Sequence, residues 1–207
     1  MNRSAATLVA DAVASFRGHG WQVQVAGDAA EARDRLLAVV GSQARVAVRE
    51  CPAWREIDAQ PHLAAGGRLV RCGPGIDAPS RADLLAVDVG VTGATALVVE
   101  TATALIGADD AYAQLVSNLP FSHVVLAHTH AIVPTLGEGL GLVRYFAQGV
   151  LGRPVPRYVG AVSGASRTGD IEMVIVEGMH GPGRVHLILL DFPVPGWEAL
   201  PPEAFTA

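Results

Sequence analysis

Apolar and polar positions follow two periods along this chain, one typical of helices and the other of strands. Residues 4–17 carry one apolar stripe at helical spacing, and residues 21–26 alternate as a half-buried strand does. Asp28 is placed to cap a second helix that runs to Val40, and residues 45–49 form the next short strand. A strand–helix–strand beginning of this kind favours a parallel sheet.

The alternation resumes after an irregular Pro- and Gly-rich stretch. The pattern predicts strands at residues 68–72, 95–99, 102–106, 124–129, 158–162 and 185–191, helices at 80–87, 109–118 and 135–148, and a loop at 88–93. The last helix is predicted to turn four apolar side chains inward, namely Leu136, Leu140, Val143 and Phe146.

We expect one domain over residues 1–207. It consists of a helix–strand part with an irregular connection (1–79), a core that carries the motifs (80–191) and a Pro-rich tail (192–207). The expected fold class is a layered α/β architecture: one open, mostly parallel sheet with helices on both faces.

Composition narrows the functional classes. Half of the 207 residues are hydrophobic and 17% are charged, which suits a full core without disulfides. The net charge is -5 and no basic stripe interrupts the chain, so nucleic-acid binding is not expected. The most apolar region, residues 84–106, is cut by Asp88 and Glu100, and no secretion signal precedes it, so we expect a cytoplasmic protein without a membrane span.

The two cysteines, Cys51 and Cys72, do not form a C-x-x-C pair. We therefore expect buried thiols and neither a disulfide scaffold, a zinc cluster nor an iron–sulfur cluster of the chain's own. His128 and His130 lie on one face of a predicted strand, but a third ligand is not apparent, so a metal site is not predicted.

Two motifs are candidates for ligand binding: one is rich in glycine and the other contains a glutamate. Thr92 and Gly93 lie in a glycine-rich turn whose backbone N–H groups either hold an anion or form only a turn. Glu100, followed by Thr101, closes an apolar strand, where α/β sheets place ligands. Its carboxylate is either a base or nucleophile with a raised pKa, or one half of an ion pair.

Residues 166–172 form the most polar segment between apolar strands. Capping of a helix start by Ser166 or Thr168, with Asp170 and Glu172 in the first turn, accounts for the hydroxyls and acids. It does not account for Arg167, whose guanidinium suits a carboxylate or phosphate, so we expect a ligand site here. His180 follows in a turn, where it is a candidate for proton transfer, whereas His123 and His186 are expected to be structural.

Taken in order, these motifs resemble the LUD-domain family and, within it, the lactate utilization protein C subfamily. The matching segments are GVTGA (90–94), ETAT (100–103), LP (119–120) with His123, IVPTL (132–136), SRTGDIE (166–172), HGP (180–182) and VHLILLD (185–191), which together span about half of the chain. The family more often has Thr-Gly-Thr where Thr101-Ala102-Thr103 stands, and alanine where Gly169 stands.

The resemblance implies a fold like that of the NagB/RpiA/CoA-transferase group. It also implies a role in oxidising L-lactate to pyruvate together with iron–sulfur partner subunits, and it implies no established catalytic residue or cofactor. We expect a pocket for a small carboxylate or a nucleotide-like ligand, with Arg167 as clamp and Glu100 or His180 handling a proton. Two alternatives stay open: a non-enzymatic assembly subunit, and an acyl- or CoA-transferase that uses Glu100.

Overall fold

The computed structural model describes residues 5–150, 152, 154–169, 175–178 and 180–193. Its helices are α1 (Ala5–Gly18), α2 (Ala29–Val40), α3 (Pro52–Glu56), α4 (Gln60–Ala64), α5 (Arg81–Leu85), α6 (Tyr112–Asn118) and α7 (Leu136–Tyr145). Its strands are β1 (Gln22–Ala26), β2 (Val46–Arg49), β3 (Leu69–Cys72), β4 (Val89–Gly93), β5 (Ala96–Val98), β6 (Thr103–Ala108), β7 (Ser122–His128), β8 (Ile132–Val133), β9 (Tyr158–Val162), β10 (Arg167–Gly169), β11 (Ile175–Glu177) and β12 (Arg184–Leu190).

Six strands form a fully parallel main sheet in the order β1-β12-β7-β4-β2-β3. Side chains alternate between its two faces, so successive residues of β7 feed different cores. Leu126 packs with Trp54 of α3 and Leu36 of α2 on one face, whereas Val125 packs with Phe16 of α1 on the other. The predicted α/β class, mostly parallel with helices on both faces, is confirmed.

The number of sheets differs from the prediction. Strands β8, β5, β6 and β9 form a second, mixed sheet, and β10 pairs with β11 alone. β5 and β6 are antiparallel neighbours joined by a tight turn, and both lie in this second sheet. Ala102 ends that turn at φ 46, a left-handed conformation that glycine adopts more easily, and it is the position where the resembled family more often has glycine.

Residues 88–93 were predicted to be a loop, and this prediction is wrong. They contain β4, a central strand of the main sheet, with Val89 and Val91 buried. Gly90 is a packing glycine: a Cβ there would lie 1.9 Å from the carbonyl oxygen of Val116 in α6. Glycine is thus required here because the helix lies close to the sheet. A glycine-rich sequence does not show whether its glycines form a turn or allow such close packing.

The predicted inward face of α7 is half wrong. Val143 and Phe146 are buried, but Leu136 and Leu140 are 40% and 47% exposed. The helix instead turns Gly139 toward the second sheet, where a Cβ would lie 2.8 Å from a methyl group of Val98. The apolar periodicity misled because glycine has no side chain to mark the buried face.

Candidate functional site

The topology of the main sheet locates a switch point between β2 and β4. These strands are neighbours, but the chain continues from β2 to β3 on one side, whereas from β4 it eventually reaches β7 on the other. Connections that diverge in this way leave a crevice outside the carboxyl ends of the two strands, and this is where open α/β sheets bind ligands. Residues 49–51 and 93–95 lie at these ends.

A cleft of about 350 Å³ opens at this switch point, within the size range of small-molecule sites. The main-sheet side contributes the polar residues Arg49, Glu50 and Arg55. The second sheet contributes Asp109, which follows β6, and Thr95, which precedes β5. Two cations, two acids and a hydroxyl from both sheets therefore share one cleft.

The carboxylate of Glu50 organises the polar wall. It is buried, with 5% of its side chain exposed, and accepts from Arg71 at 2.7 Å and from Nε of Arg55 at 3.2 Å. A buried carboxylate needs such partners, because removal from water otherwise costs several kcal/mol. The side chain of Arg55 is 73% exposed, so its terminal amino groups are accessible to a ligand while Glu50 holds Nε.

Arg49 has a different role from Arg55. Its guanidinium donates to Asp110 at 2.8 Å and to the carbonyl oxygen of Glu50 at 2.9 Å. Both terminal amino groups are engaged and the side chain is four-fifths buried, so Arg49 holds the end of β2 in place. Asp109 accepts from the backbone of Arg157 at 3.2 Å and is exposed on the cleft side.

Cys51 also lines the cleft, beside Gly93. A Cβ at Gly93 would lie 2.9 Å from both Cβ and Sγ of Cys51, so the absence of a side chain at 93 makes room for this thiol. Burial raises the pKa of the Cys51 thiol to about 11. The thiol is therefore protonated at neutral pH, and it is a poor nucleophile because the thiolate is the reactive form.

A second polar cluster follows β7. Nε2 of His128 lies 2.6 Å from a carboxylate oxygen of Glu56, and the His130 ring stacks on His128 with centroids 4.9 Å apart. Burial, together with His128, lowers the pKa of His130 to about 4. In the described part of the chain, no three His, Cys, Asp or Glu residues are placed to hold a metal ion.

The predicted ligand residue Thr92 is buried in the core. Its hydroxyl lies 2.8 Å from Nε2 of His123, which is also buried. Burial, with a smaller contribution from His186, lowers the pKa of His123 to about 3. The hydroxyl of Thr92 is therefore engaged with a neutral imidazole inside the protein.

Glu100 and Thr101 are exposed in the turn between β5 and β6. An oxygen of Glu100 accepts from the backbone N–H of Leu136 at 2.6 Å, at the first residue of α7. The carboxylate thus supplements the capping box that Thr135 and Glu138 form there. Its role as base or nucleophile stays a prediction.

The capping interpretation predicted a helix start at residues 166–169, and this prediction is wrong. Arg167 and Thr168 belong to β10, whose backbone is paired with β11, so no helix N-terminus is available for Ser166 or Thr168 to cap. Ser166 instead bonds to Pro182 and Gly178 through its backbone, and its hydroxyl accepts from the backbone of His180 at 3.4 Å. Asp170 and Glu172 lie outside the described residues.

The structure thus brings Ser166 and His180 together. Arg167 is exposed, and its guanidinium lies close to Gly20, since a Cβ there would be 3.8 Å from a terminal nitrogen. Gly20 precedes β1, at the amino end of the main sheet. A shared pocket for Arg167 and Glu100 stays a prediction.

Sequence reasoning missed Arg55 and Asp109. A signal for the first was present: Arg49 and Glu50 stand at the end of the predicted strand at 45–49, and Pro52 then begins a helix that contains Arg55. Strand ends followed by charged residues mark ligand edges in parallel sheets. Asp109 and Asp110 likewise follow the predicted strand at 102–106, but β6 lies in the second, mixed sheet, so this rule for parallel sheets does not place Asp109 at the cleft.

The family model described as "LUD domain" matches residues 9–190. Lactate utilization protein C 1 of Bacillus mycoides is 35% identical over 106 residues, which cover 51% of this chain and 44% of that protein. Lactate utilization protein C of Deinococcus radiodurans is 33% identical over 131 residues, covering 63% and 58%.

Lactate utilization protein B of Geobacillus thermodenitrificans is 27% identical over 111 residues, which cover 54% of this chain and 22% of that protein. The matches therefore span between 22% and 58% of the length of these curated relatives. A crystal structure of a DUF162 family protein from Deinococcus radiodurans superposes with a TM-score of 0.60, covering 91% of this chain and 99% of the other at 23% identity. That likeness supports the fold.

Proposed function

This chain belongs to the LUD domain family, and we propose that it is a component of an L-lactate utilization system that binds a small anionic ligand in the cleft between β2 and β4. The names of its relatives, lactate utilization proteins B and C, support the pathway. The exposed guanidinium of Arg55 at a topological switch point carries the proposal for the ligand.

The chemistry that the cleft supports is binding and orientation. Arg55 offers two terminal amino groups to a carboxylate or phosphate, and Glu50 fixes the guanidinium through Nε. The thiol of Cys51 stays protonated at neutral pH because burial raises its pKa to about 11, so covalent catalysis by this thiol is not part of the proposal. Electron transfer from lactate falls to the iron–sulfur partner subunits of the system.

Isothermal titration calorimetry tests the ligand site. The titrants are L-lactate, pyruvate, coenzyme A and nucleotides, and the proteins are the wild type, Arg55→Gln and the matched control Arg81→Gln. Arg81 is an exposed arginine of α5 outside the cleft lining. We expect at least one titrant to bind the wild type and the control equally and Arg55→Gln about tenfold more weakly or worse. Absence of binding by the wild type to every titrant contradicts the ligand site.

The sequence-derived site enters the same experiment. Arg167→Gln and Glu100→Gln are titrated beside Arg55→Gln. If the ligand needs Arg167 rather than Arg55, the pocket lies with the polar segment at 166–169 and the cleft between β2 and β4 is the wrong site. Trapping of a thioester on Glu100 with an acyl-coenzyme A identifies the transferase alternative.

The exposed leucines of α7 favour an assembly role as a second candidate. Leu136 and Leu140 are adjacent on one helix face, one turn apart, and are 40% and 47% exposed. Apolar contacts of this kind suit a protein partner. Under this alternative, Leu136→Ser with Leu140→Ser abolishes co-purification with the iron–sulfur subunits, while Arg55→Gln has no effect on lactate oxidation.

A further inference from the structure

The cleft between β2 and β4 has more space than a three-carbon acid fills. Lactate and pyruvate each have six non-hydrogen atoms. One water molecule, which has a single non-hydrogen atom, takes up about 30 Å³ in the liquid. If each atom of the acid takes up that much, either acid occupies at most about 180 Å³. The cleft measures about 350 Å³, roughly twice as much. A ligand that fills it is larger than the substrate of the proposed pathway.

The lining of the cleft includes three chemically different parts on which the argument for a ligand rests. Arg55 is an exposed cation, suited to a phosphate or carboxylate. Asp109 is exposed and, when ionised, only accepts hydrogen bonds, so it suits a hydroxyl or amine and repels an anion. An apolar wall is formed by Val143, Phe146 and Ala147 of α7 and its π-helical extension, with Pro154 and Pro156.

These three parts describe one kind of molecule. A small hydroxy acid satisfies Arg55 and leaves the apolar wall in contact with water. A molecule with an anionic group, hydroxyl groups and a flat ring satisfies all three. In open α/β sheets that bind nucleotides, a carboxylate commonly accepts hydrogen bonds from the ribose hydroxyls, and the phosphate is bound at a separate position.

We propose that this cleft binds a mononucleotide, with the phosphate at Arg55, the ribose hydroxyls at Asp109 and the base against the wall formed by Phe146 and Ala147. The proposal rests on the proposed function in one respect: both place the ligand in the same cleft. It goes further, because it makes the ligand a nucleotide and not the hydroxy acid that is oxidised.

Calorimetry on the full chain with four titrants separates the parts. They are AMP, adenosine (no phosphate), ribose 5-phosphate (no base) and L-lactate. We expect AMP to bind at least about tenfold more tightly than adenosine or ribose 5-phosphate, because each lacks one of the contacts. L-Lactate should bind more weakly than AMP.

Two variants assign the contacts to residues. Arg55→Gln should weaken AMP and ribose 5-phosphate and leave adenosine unchanged. Ala147→Leu fills part of the apolar wall and should weaken AMP and adenosine while leaving ribose 5-phosphate unchanged. Circular dichroism confirms that both fold. If Ala147→Leu does not fold, Pro156→Ala, which shortens the same wall, replaces it with the same expected direction.

Each of three other outcomes would contradict the nucleotide proposal. If L-lactate binds in a manner that depends on Arg55 and AMP does not bind, the nucleotide proposal is wrong and the proposed function stands. If AMP binds but neither variant alters its affinity, the nucleotide site lies elsewhere and the proposal is also wrong. If none of the four titrants binds, the nucleotide proposal is wrong, and the proposed function then depends on the titrations with pyruvate and coenzyme A.

Discussion

Acid should destabilise this protein through His123, and the size of the effect follows from its burial. The folded-state pKa is about 3, against about 6.5 for histidine in an unfolded chain. Between these values the unfolded chain binds a proton and the folded protein does not. The free energy of unfolding is therefore full above about pH 6.5, falls as the pH drops and stops falling near pH 3. For His123 alone, the loss between pH 7 and pH 5 is about 2 kcal/mol.

Urea denaturation followed by circular dichroism at pH 7, 6 and 5 measures this loss. The test variant combines Thr92→Val with His123→Leu, because Thr92→Val alone leaves the buried Nε2 of His123 without its partner and costs about 1–3 kcal/mol at any pH. The double variant should lose about 2 kcal/mol less than the wild type between pH 7 and pH 5.

His62→Gln serves as the control for the loss of a histidine, since this side chain is exposed on α4. His130, whose pKa is also lowered by burial, contributes equally to all variants and cancels in the comparison. Equal losses in the double variant and the wild type would refute the argument, because they would mean that the folded protein protonates His123 above pH 5.

Three further predictions concern the cleft and α7. Gly93→Ala should lower the free energy of unfolding by about 1–3 kcal/mol, since the new methyl group overlaps Cys51. Adding Cys51→Gly to this variant should restore part of the loss, and thermal unfolding measures the stability of both variants. Gly137→Ala, at an exposed helical position with free space, should instead stabilise by up to about 1 kcal/mol, and destabilisation by both alanines would contradict the packing argument. Glu100→Ala should cost about 1 kcal/mol by removing an acceptor from the first turn of α7, whereas an unchanged melting temperature would mean that the cap contributes nothing. In a Cys72→Ala background, alkylation of Cys51 by iodoacetamide should be slow at pH 7.5 and rise steeply above pH 10, and rapid alkylation at pH 7.5 would contradict the raised pKa.

Local signals in the sequence predicted most element positions correctly. The helix from Asp28 to Val40 is α2, with the Asp28 side chain accepting from Glu31 as an N-cap does. The strand at 158–162 is β9, with the bounds as predicted. Caps and short-range periodicity act within a few residues, so the sequence contains the information that determines these elements.

Glycine and segment 166–169 show where local reasoning ends. A glycine looks the same in sequence whether it forms a turn or lies against a helix, and only the position of Val116 identifies Gly90 as a packing residue. The hydroxyls of Ser166 and Thr168 suit a helix cap, but pairing of β10 with β11 satisfies the backbone in another way. Tertiary and long-range pairing decided both cases.

The sequence by itself determined the class of the fold, the sites of most helices and strands, and membership of a family, because these depend on periodicity and on ordered motifs. Only the tertiary structure decided which polar residues share a cleft. Arg55 follows β2 of the main sheet and Asp109 follows β6 of the second sheet, and both line one cleft. Whether two distant residues line the same cleft depends on the path of the chain between them, and local sequence patterns do not encode that path.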